Sequence, residues 1–261
     1  MTETSLTVEF GALAVKLLDN GVALATFSRP PVNAFSISAY ENLGAFAQWV
    51  EQNDNVRAVV MTAPDDARAW CGGADLNDFK GMTKEKRKER YAYINQQLPR
   101  FHALDRPTIA AINGAAIGLG MVLASLFDFR VAAEDAKFAV PEVDYGLLSG
   151  GAGRFVALRL PEPKLREMLY TGRKFTAREI EPTGFFNYVV PREDVLPRAL
   201  ELAAELAAKD SAIMRARKRD SLLLEGSEWF EAYLRAQQGS ASMVENAASQ
   251  AGVENALGKS G

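Results

Sequence analysis

Arg68-Ala69-Trp70-Cys71-Gly72-Gly73-Ala74-Asp75-Leu76 and Asn113-Gly114-Ala115-Ala116-Ile117-Gly118-Leu119-Gly120-Met121 decide how this chain is read. Each is a small-residue turn that follows an apolar strand-like run and opens a helix-like run. Small residues at such a turn let a ligand come close to the backbone. The first N–H groups of a helix have no partner inside it, so they can donate elsewhere. Two such turns facing one another would set two N–H groups on one developing oxyanion. Either turn alone reads as an ordinary tight turn at a helix start; the pair carries the signal.

Outward from these turns the chain alternates strand and helix. Residues 15–18 and 22–27 are apolar runs around Asp19-Asn20-Gly21, a strong short hairpin signal. Ser36 reads as an N-cap, followed by Ile37, Tyr40, Leu43, Phe46, Ala47 and Val50 at helical spacing. Residues 57–62 and 108–112 read as strands, 83–104 as a helix charged at its start, 119–127 as an apolar helix and 129–132 as a short strand. The alternation argues for parallel pairing. After about residue 160 the pattern turns mostly helical. Pro163 suits a first turn, and Thr176 with Glu179 makes a capping box. Further helices are expected over 195–208, 227–238 and 250–257. This shift divides the chain into a core over residues 1–200 and a helical C-terminal region over 201–261.

Bulk composition narrows the function classes. The chain has 261 residues, 48% hydrophobic and 24% charged, as in an ordinary globular protein. A net charge of −3 supplies no basic footprint for nucleic acid. Cys71 is the single cysteine, so no intrachain disulfide can form and a reducing, cytoplasmic setting is expected. The N-terminal residues lack the basic and apolar regions of a signal peptide. Residues 109–127 carry no charge and approach the length of a bilayer span. Asn113-Gly114 breaks that run and Gly118 and Gly120 weaken it as one helix, so it reads as strand, turn and helix, with no membrane partner.

With Arg29-Pro30-Pro31-Val32-Asn33-Ala34 upstream and Pro141-Glu142-Val143 downstream, the two turns resemble the crotonase superfamily, the enoyl-CoA hydratase/isomerase-like acyl-CoA enzymes. The likeness covers nearly the whole chain in order and spacing. It implies an α/β fold: a crotonase-like spiral of strand-strand-helix (ββα) units with a helical C-terminal trimerisation region. A homotrimer, or a hexamer built as a dimer of trimers, follows from it. So do an acyl-CoA or enoyl-CoA substrate, work in fatty acid metabolism, and no separate cofactor, because coenzyme A is part of the substrate. By the same resemblance, the N–H groups of Ala74 and Leu119 hold the oxygen of a thioester enolate, and Glu142 is the catalytic carboxylate. The implied substrate- and CoA-binding set is Arg29, Val32, Ala34, Ala69, Cys71, Gly73, Ala74, Asp75, Leu76, Asn77, Leu119, Val122 and Gly150.

Three positions depart from the family pattern. Leu119 stands where glycine is usual, and Ser149 where proline is common. Val122 stands where the first catalytic glutamate falls, at a position expected to face Glu142 across the thioester. Valine can neither hold a water nor transfer a proton. The pattern therefore resembles the family's single-glutamate isomerase branch, and double-bond isomerisation leads. Hydration is the alternative, with water held by Glu142 and a backbone group such as that of Gly150. A protein that binds acyl-CoA without turning it over is the reading from another class.

Other features carry less. Cys71 lies beside a donor but has no histidine partner in sight, so it reads as a small packed hydrophobe. His102 is the only histidine, and without a second ligand cluster no metal site is expected. Gly118-Leu119-Gly120 lacks the third glycine of a dinucleotide loop. Lys80, Lys84, Lys86, Arg87, Lys88 and Arg90 form a basic run broken by Glu85 and Glu89. It reads equally as a solvated helix face or as a surface that steers the CoA phosphates.

Overall fold

Period-two alternation at the N-terminus builds a meander of β1 (Leu6–Phe10), β2 (Leu13–Leu17) and β3 (Val22–Phe27), paired antiparallel. The computed structural model describes residues 6–258. Gly21, at φ +81°, closes the turn between β2 and β3 as its sequence suggested. β1 is not among the strands expected from sequence, although Leu6, Val8 and Phe10 alternate with Thr7 and Glu9; it is an edge strand with most of its side chains in solvent.

From β3 onward the chain spirals between two sheets. The elements run α1 (Ile37–Gln52), β4 (Ala58–Thr62), β5 (Ala69–Cys71), α2 (Lys84–His102), β6 (Thr108–Ile112), β7 (Ala115–Ile117), α3 (Leu119–Leu126), β8 (Phe129–Ala133) and β9 (Lys137–Ala139). β4, β6 and β8 enter the larger sheet; β5, β7 and β9 enter the smaller one. Each such pair of strands is followed by helix, which is the expected strand-strand-helix repeat. β4 and β6 are buried at every residue, as parallel strands covered on both faces must be.

The remaining elements are α4 (Ala152–Ala157), α5 (Glu162–Thr171), β10 (Phe175–Thr176), α6 (Ala177–Ile180), β11 (Tyr188–Val190), α7 (Val195–Ala207), α8 (Ser211–Leu223), α9 (Glu228–Met243) and α10 (Ala247–Gly258). The larger sheet has the order β1-β2-β3-β4-β6-β8-β11 and the smaller one β10-β9-β7-β5. Strands β10 and β11 lie in the part of the sequence that read as helical; two or three residues are too few to show a period. The Thr176–Glu179 capping box is present at the start of α6. Ser36 is the N-cap residue of α1 as expected, but its side chain makes no capping bond; its hydroxyl pairs with that of Ser38 instead.

The expected boundary at residue 200 falls inside α7, which packs on β4, β6 and β8 and so belongs to the core. α9 lies against α2 of its own chain, through Tyr91 Oη to Ser240 Oγ at 2.8 Å and a reciprocal Asn95–Gln237 amide pair. His102 is buried and structural, between the Leu126 carbonyl and Glu225. The uncharged run over 109–127 resolves into β6, β7 and the eight-residue α3. Among the described residues no helix is long and apolar enough to cross a membrane.

Candidate active site

The smaller sheet brings three turns to one edge. β5 pairs parallel with β7, and β7 with β9. Their C-terminal ends therefore point the same way. The chain leaves them at Gly72–Asp75, at Gly118-Leu119 and at Pro141-Glu142. The open edge beyond such strand ends is the usual place for a ligand in α/β sheets.

The first two turns touch through backbone. A Cβ on Gly120 would lie 2.3 Å from the Cys71 carbonyl oxygen, and one on Gly73 would lie 3.0 Å from that of Ile117. Gly73 also sits at φ +108°, which other residues rarely adopt. Gly120→Ala should force the turns apart, with a stability loss of about 1–3 kcal/mol. Thermal melts of the variant, read beside its activity, check this.

Two N–H groups at this edge are unused. Phe35 N–H donates to Gly73 O at 2.7 Å and Asp75 N–H to Phe35 O at 3.1 Å, but the intervening Ala74 N–H meets no acceptor among the described residues. Gly118 N–H donates to Ala139 O at 2.8 Å, and the next one, on Leu119, also meets none. Leu119 is the first residue of α3, so its N–H points out of the helix at the positive end. The Leu119 side chain lines the cavity in front of it.

Glu142 completes the site. It sits on the single 3-10 turn Pro141–Tyr145 that follows β9. A Cβ on Gly118 would come within 2.9 Å of its Oε1, so the carboxylate lies against the residue before the Leu119 donor. Its Oε2 is buried and has no hydrogen-bond partner among the described residues. Burial pushes the carboxyl up to about 7, only partly offset by its own backbone N–H and by Arg87. A carboxylate poised near neutrality suits proton transfer. Among the described residues it is the one carboxylate lining the cavity. Asp144 is exposed and outside it.

Gly73, Ala74, Leu76, Leu119, Glu142 and Gly150 line one cavity of about 160 Å³. A water's share of liquid is about 30 Å³, so the space holds a small organic group.

The other expected residues brace the first turn from outside. Arg29 pairs with Asp75 at 2.6 Å and donates to Ala34 O at 2.9 Å. Asn33 Nδ2 donates to Ala69 O at 2.8 Å, Gly72 N–H to Val32 O at 2.9 Å, and Asn77 N–H to Asp75 Oδ1 at 3.0 Å. Cys71 is fully buried, and burial pushes its thiol up to about 12.

Val122 is also fully buried and is not among the residues lining the cavity, so no side chain there faces Glu142. Every residue of α3 is buried, and a side chain with no polar atom is free to enter the core. Val122→Glu is therefore expected to lower stability by a few kcal/mol through an unpaired buried charge. Urea titration checks this; a stable variant with raised hydration activity would show that position 122 reaches the cavity after all.

Other lining residues were not placed at the acyl site from sequence, although Arg87 and Arg90 belong to the basic run and Tyr40 to the apolar stripe of the first helix. Arg87, Arg90, Tyr91, Ile94 and Leu98 come from α2, Tyr233 and Gln237 from α9, and Tyr40, Phe79, Tyr145, Leu147 and Leu148 from other elements. A usable signal existed on α2: positions 87, 91, 94, 98 and 101 form one buried helical stripe. The basic run splits across the helix. Lys84, Lys86 and Lys88 face solvent, while Arg87 and Arg90 are buried.

A spiral of strand-strand-helix units that sets two open backbone donors beside a desolvated carboxylate defines the crotonase class. A family model described as enoyl-CoA hydratase/isomerase matches residues 18–254, and the chain belongs to that family. It is 36% identical over 202 residues to a Bacillus subtilis (strain 168) protein provisionally assigned as enoyl-CoA hydratase/isomerase YngF, covering 76% of each chain. It is 31% identical over 201 residues, 76% of this chain and 79% of the other, to a Mycobacterium tuberculosis (strain ATCC 25618 / H37Rv) protein. That relative is named (7aS)-7a-methyl-1,5-dioxo-2,3,5,6,7,7a-hexahydro-1H-indene-carboxyl-CoA hydrolase. The crystal structure of carnitinyl-CoA hydratase from Mycobacterium avium superposes with a TM-score of 0.79 at 28% identity, covering 95% of this chain and 96% of that one.

Proposed function

We propose that this chain shifts a double bond in enoyl-CoA thioesters by way of a thioester enolate. The thioester oxygen accepts from the N–H groups of Ala74 and Leu119. Glu142 removes a proton from the carbon next to the thioester carbonyl of a 3-enoyl-CoA. The C–H electron pair moves into the enolate, whose oxygen charge the two donors stabilise. The same carboxyl then returns the proton two carbons away, the double bond settles at the 2 position, and Glu142 is a carboxylate again. Atoms and electrons balance with no added cofactor.

The observation that carries this reading is that Glu142 is the one carboxylate lining the cavity among the described residues. One carboxyl suffices for a proton shuttle, whereas hydration in this family uses two around a single water. Hydration stays as the second reading because several relatives carry hydratase names and because Gly150 lines the cavity with Glu142. Relatives at about one-third identity span hydratase and hydrolase names, so likeness alone does not choose the reaction.

The test follows both reactions on one preparation, with a matched 3-enoyl-CoA and 2-enoyl-CoA. Interconversion should exceed hydration. Hydration of crotonyl-CoA near 10⁶ M⁻¹s⁻¹, on the scale of efficient enzymes, would overturn the isomerase preference. A thermal-shift series accompanies it. CoA thioesters should raise Tm and NAD, ATP and divalent metals should not, since a ligand that binds the native state stabilises it by mass action. Tight binding with no turnover of either ester would favour a non-catalytic acyl-CoA-binding protein.

A further inference from the structure

Two buried cations line the same cavity as Glu142. Arg87 and Arg90, one turn apart on α2, are 5% and 6% exposed. Arg87 donates through Nε to Tyr91 Oη at 3.0 Å and through Nη2 to Ser240 Oγ at 3.5 Å, and among the described residues no carboxylate lies within ion-pair distance of it. Its Nη1 is buried with no partner among the described residues. Arg90 donates through Nη1 to Asp78 Oδ2 at 2.8 Å, and its Nη2 is likewise buried and unpaired among the described residues. Both guanidinium groups lie over the Phe79 ring, at 4.5 and 5.0 Å from its centre, so they converge on one part of the wall.

A plain hydrocarbon tail does not fit this wall. It would seal two buried guanidinium nitrogens without giving either a hydrogen bond, a cost that stands for each unpaired buried group. A carboxylate repairs the deficit, because charge-assisted N–H···O bonds are the strong ones and guanidinium geometry matches a carboxylate. Glu142 does not fill this role, since its Oε2 is itself unpaired and it makes no ion pair with Arg87. The CoA phosphates have the exposed Lys84, Lys86 and Lys88 on the outer face of α2 open to them, whereas Arg87 and Arg90 are turned inward.

We propose that the acyl group this site accepts carries a second carboxylate, held in the cavity by the unpaired guanidinium nitrogens of Arg87 and Arg90. The inference rests on the acyl-CoA reading above and names its substrate class: the CoA thioester of a short dicarboxylic acid.

The experiment compares two five-carbon thioesters that differ at the chain end, glutaryl-CoA and pentanoyl-CoA. Dissociation constants are measured by calorimetry for wild type, Arg87→Gln and Arg87→Lys. Wild type should bind glutaryl-CoA at least tenfold, and up to about 10²-fold, more tightly. Arg87→Gln should bring that ratio close to one, and Arg87→Lys should retain part of it. The ratio is read within one protein, so a general loss of affinity or a shift at Glu142 cancels. If Arg87→Gln does not fold, the wild-type ratio and the Lys variant still decide.

Equal or tighter binding of pentanoyl-CoA overturns the carboxylate proposal and leaves the acyl-CoA reading standing. A preference for glutaryl-CoA that Arg87→Gln leaves intact overturns the assignment to Arg87. Binding of neither ester, with no Tm shift from any CoA thioester, removes the acyl-CoA reading and this proposal with it.

Discussion

Glu142→Gln is expected to reduce turnover of an enoyl-CoA thioester by roughly 10²–10⁴ while leaving CoA-ester affinity nearly intact. The amide matches the carboxylate in size but cannot accept the proton. In wild type, the carboxyl pushed up to about 7 should make kcat/KM rise with pH through that value, because the base must be ionised. The Gln variant should lack this limb.

Stability should move the other way. The folded state holds the Glu142 proton more tightly than the unfolded chain, whose carboxyl keeps the ordinary value of 4.5. Burial therefore costs nothing below about 4.5 and destabilises progressively as pH rises to about 7. A displacement from 4.5 to about 7 corresponds to about 3 kcal/mol. Glu142→Gln should thus be more stable than wild type at pH 8 and alike at pH 4.5, read from urea midpoints at the two pH values. Wild-type turnover in the Gln variant would show that Glu142 is not the base. No gain in stability at pH 8 would show that its carboxylate is solvated.

Leu119→Pro is expected to lower turnover by roughly 10²–10³, the loss typical of one oxyanion donor. Leu119 is the first residue of α3, a position where proline fits a helix because no intrahelical bond needs that N–H. The substitution therefore removes the donor with little damage to the helix. Leu119→Gly is the control: it keeps the N–H and removes the side chain from the cavity, so activity should persist or reach bulkier acyl groups. Circular dichroism establishes that the Pro variant is folded. A folded Pro variant as active as wild type would place the oxyanion contact elsewhere.

Where sequence reading succeeded and where it stopped have a common physical cause. The two glycine-rich turns could be read directly, because Gly120 and Gly73 sit where a Cβ would strike the backbone of the opposite turn, a constraint that leaves few residue choices. Strands β4 and β6 and helix α3 could be read because burial on all sides demands an unbroken apolar run. β10 and β11 could not, being two and three residues long, too few to show a period; β1 alternates in sequence but was not read as a strand, and at its edge no side chain is fully buried.

The basic run on α2 was ambiguous for a related reason. Charge is read residue by residue, whereas facing is a property of the helix and of what packs on it. Only the packing of α9 on α2 and the placement of Phe79 show Arg87 and Arg90 turned inward and the lysines outward. Val122 illustrates the converse. Its apolar side chain told that a carboxylate is missing, but that position 122 lies in the core and off the cavity wall is decided by how α3 sits against the sheets.

The sequence by itself determined the alternation of strands and helices and, through resemblance, pointed to the family, its spiral, the proposed donors Ala74 and Leu119 and the proposed base Glu142. Local chemistry dictates the pattern that carries the resemblance: a glycine where no Cβ fits, an apolar run where no water reaches, a helix start with an unused N–H. Tertiary structure alone decided that β5, β7 and β9 run parallel side by side and deliver all three groups to one edge. It also decided that burial lifts Glu142 toward neutrality, and that α2 adds to the same wall two buried cations, each with one nitrogen unpaired among the described residues. Burial and convergence depend on residues far apart in the chain, so no window of sequence contains them.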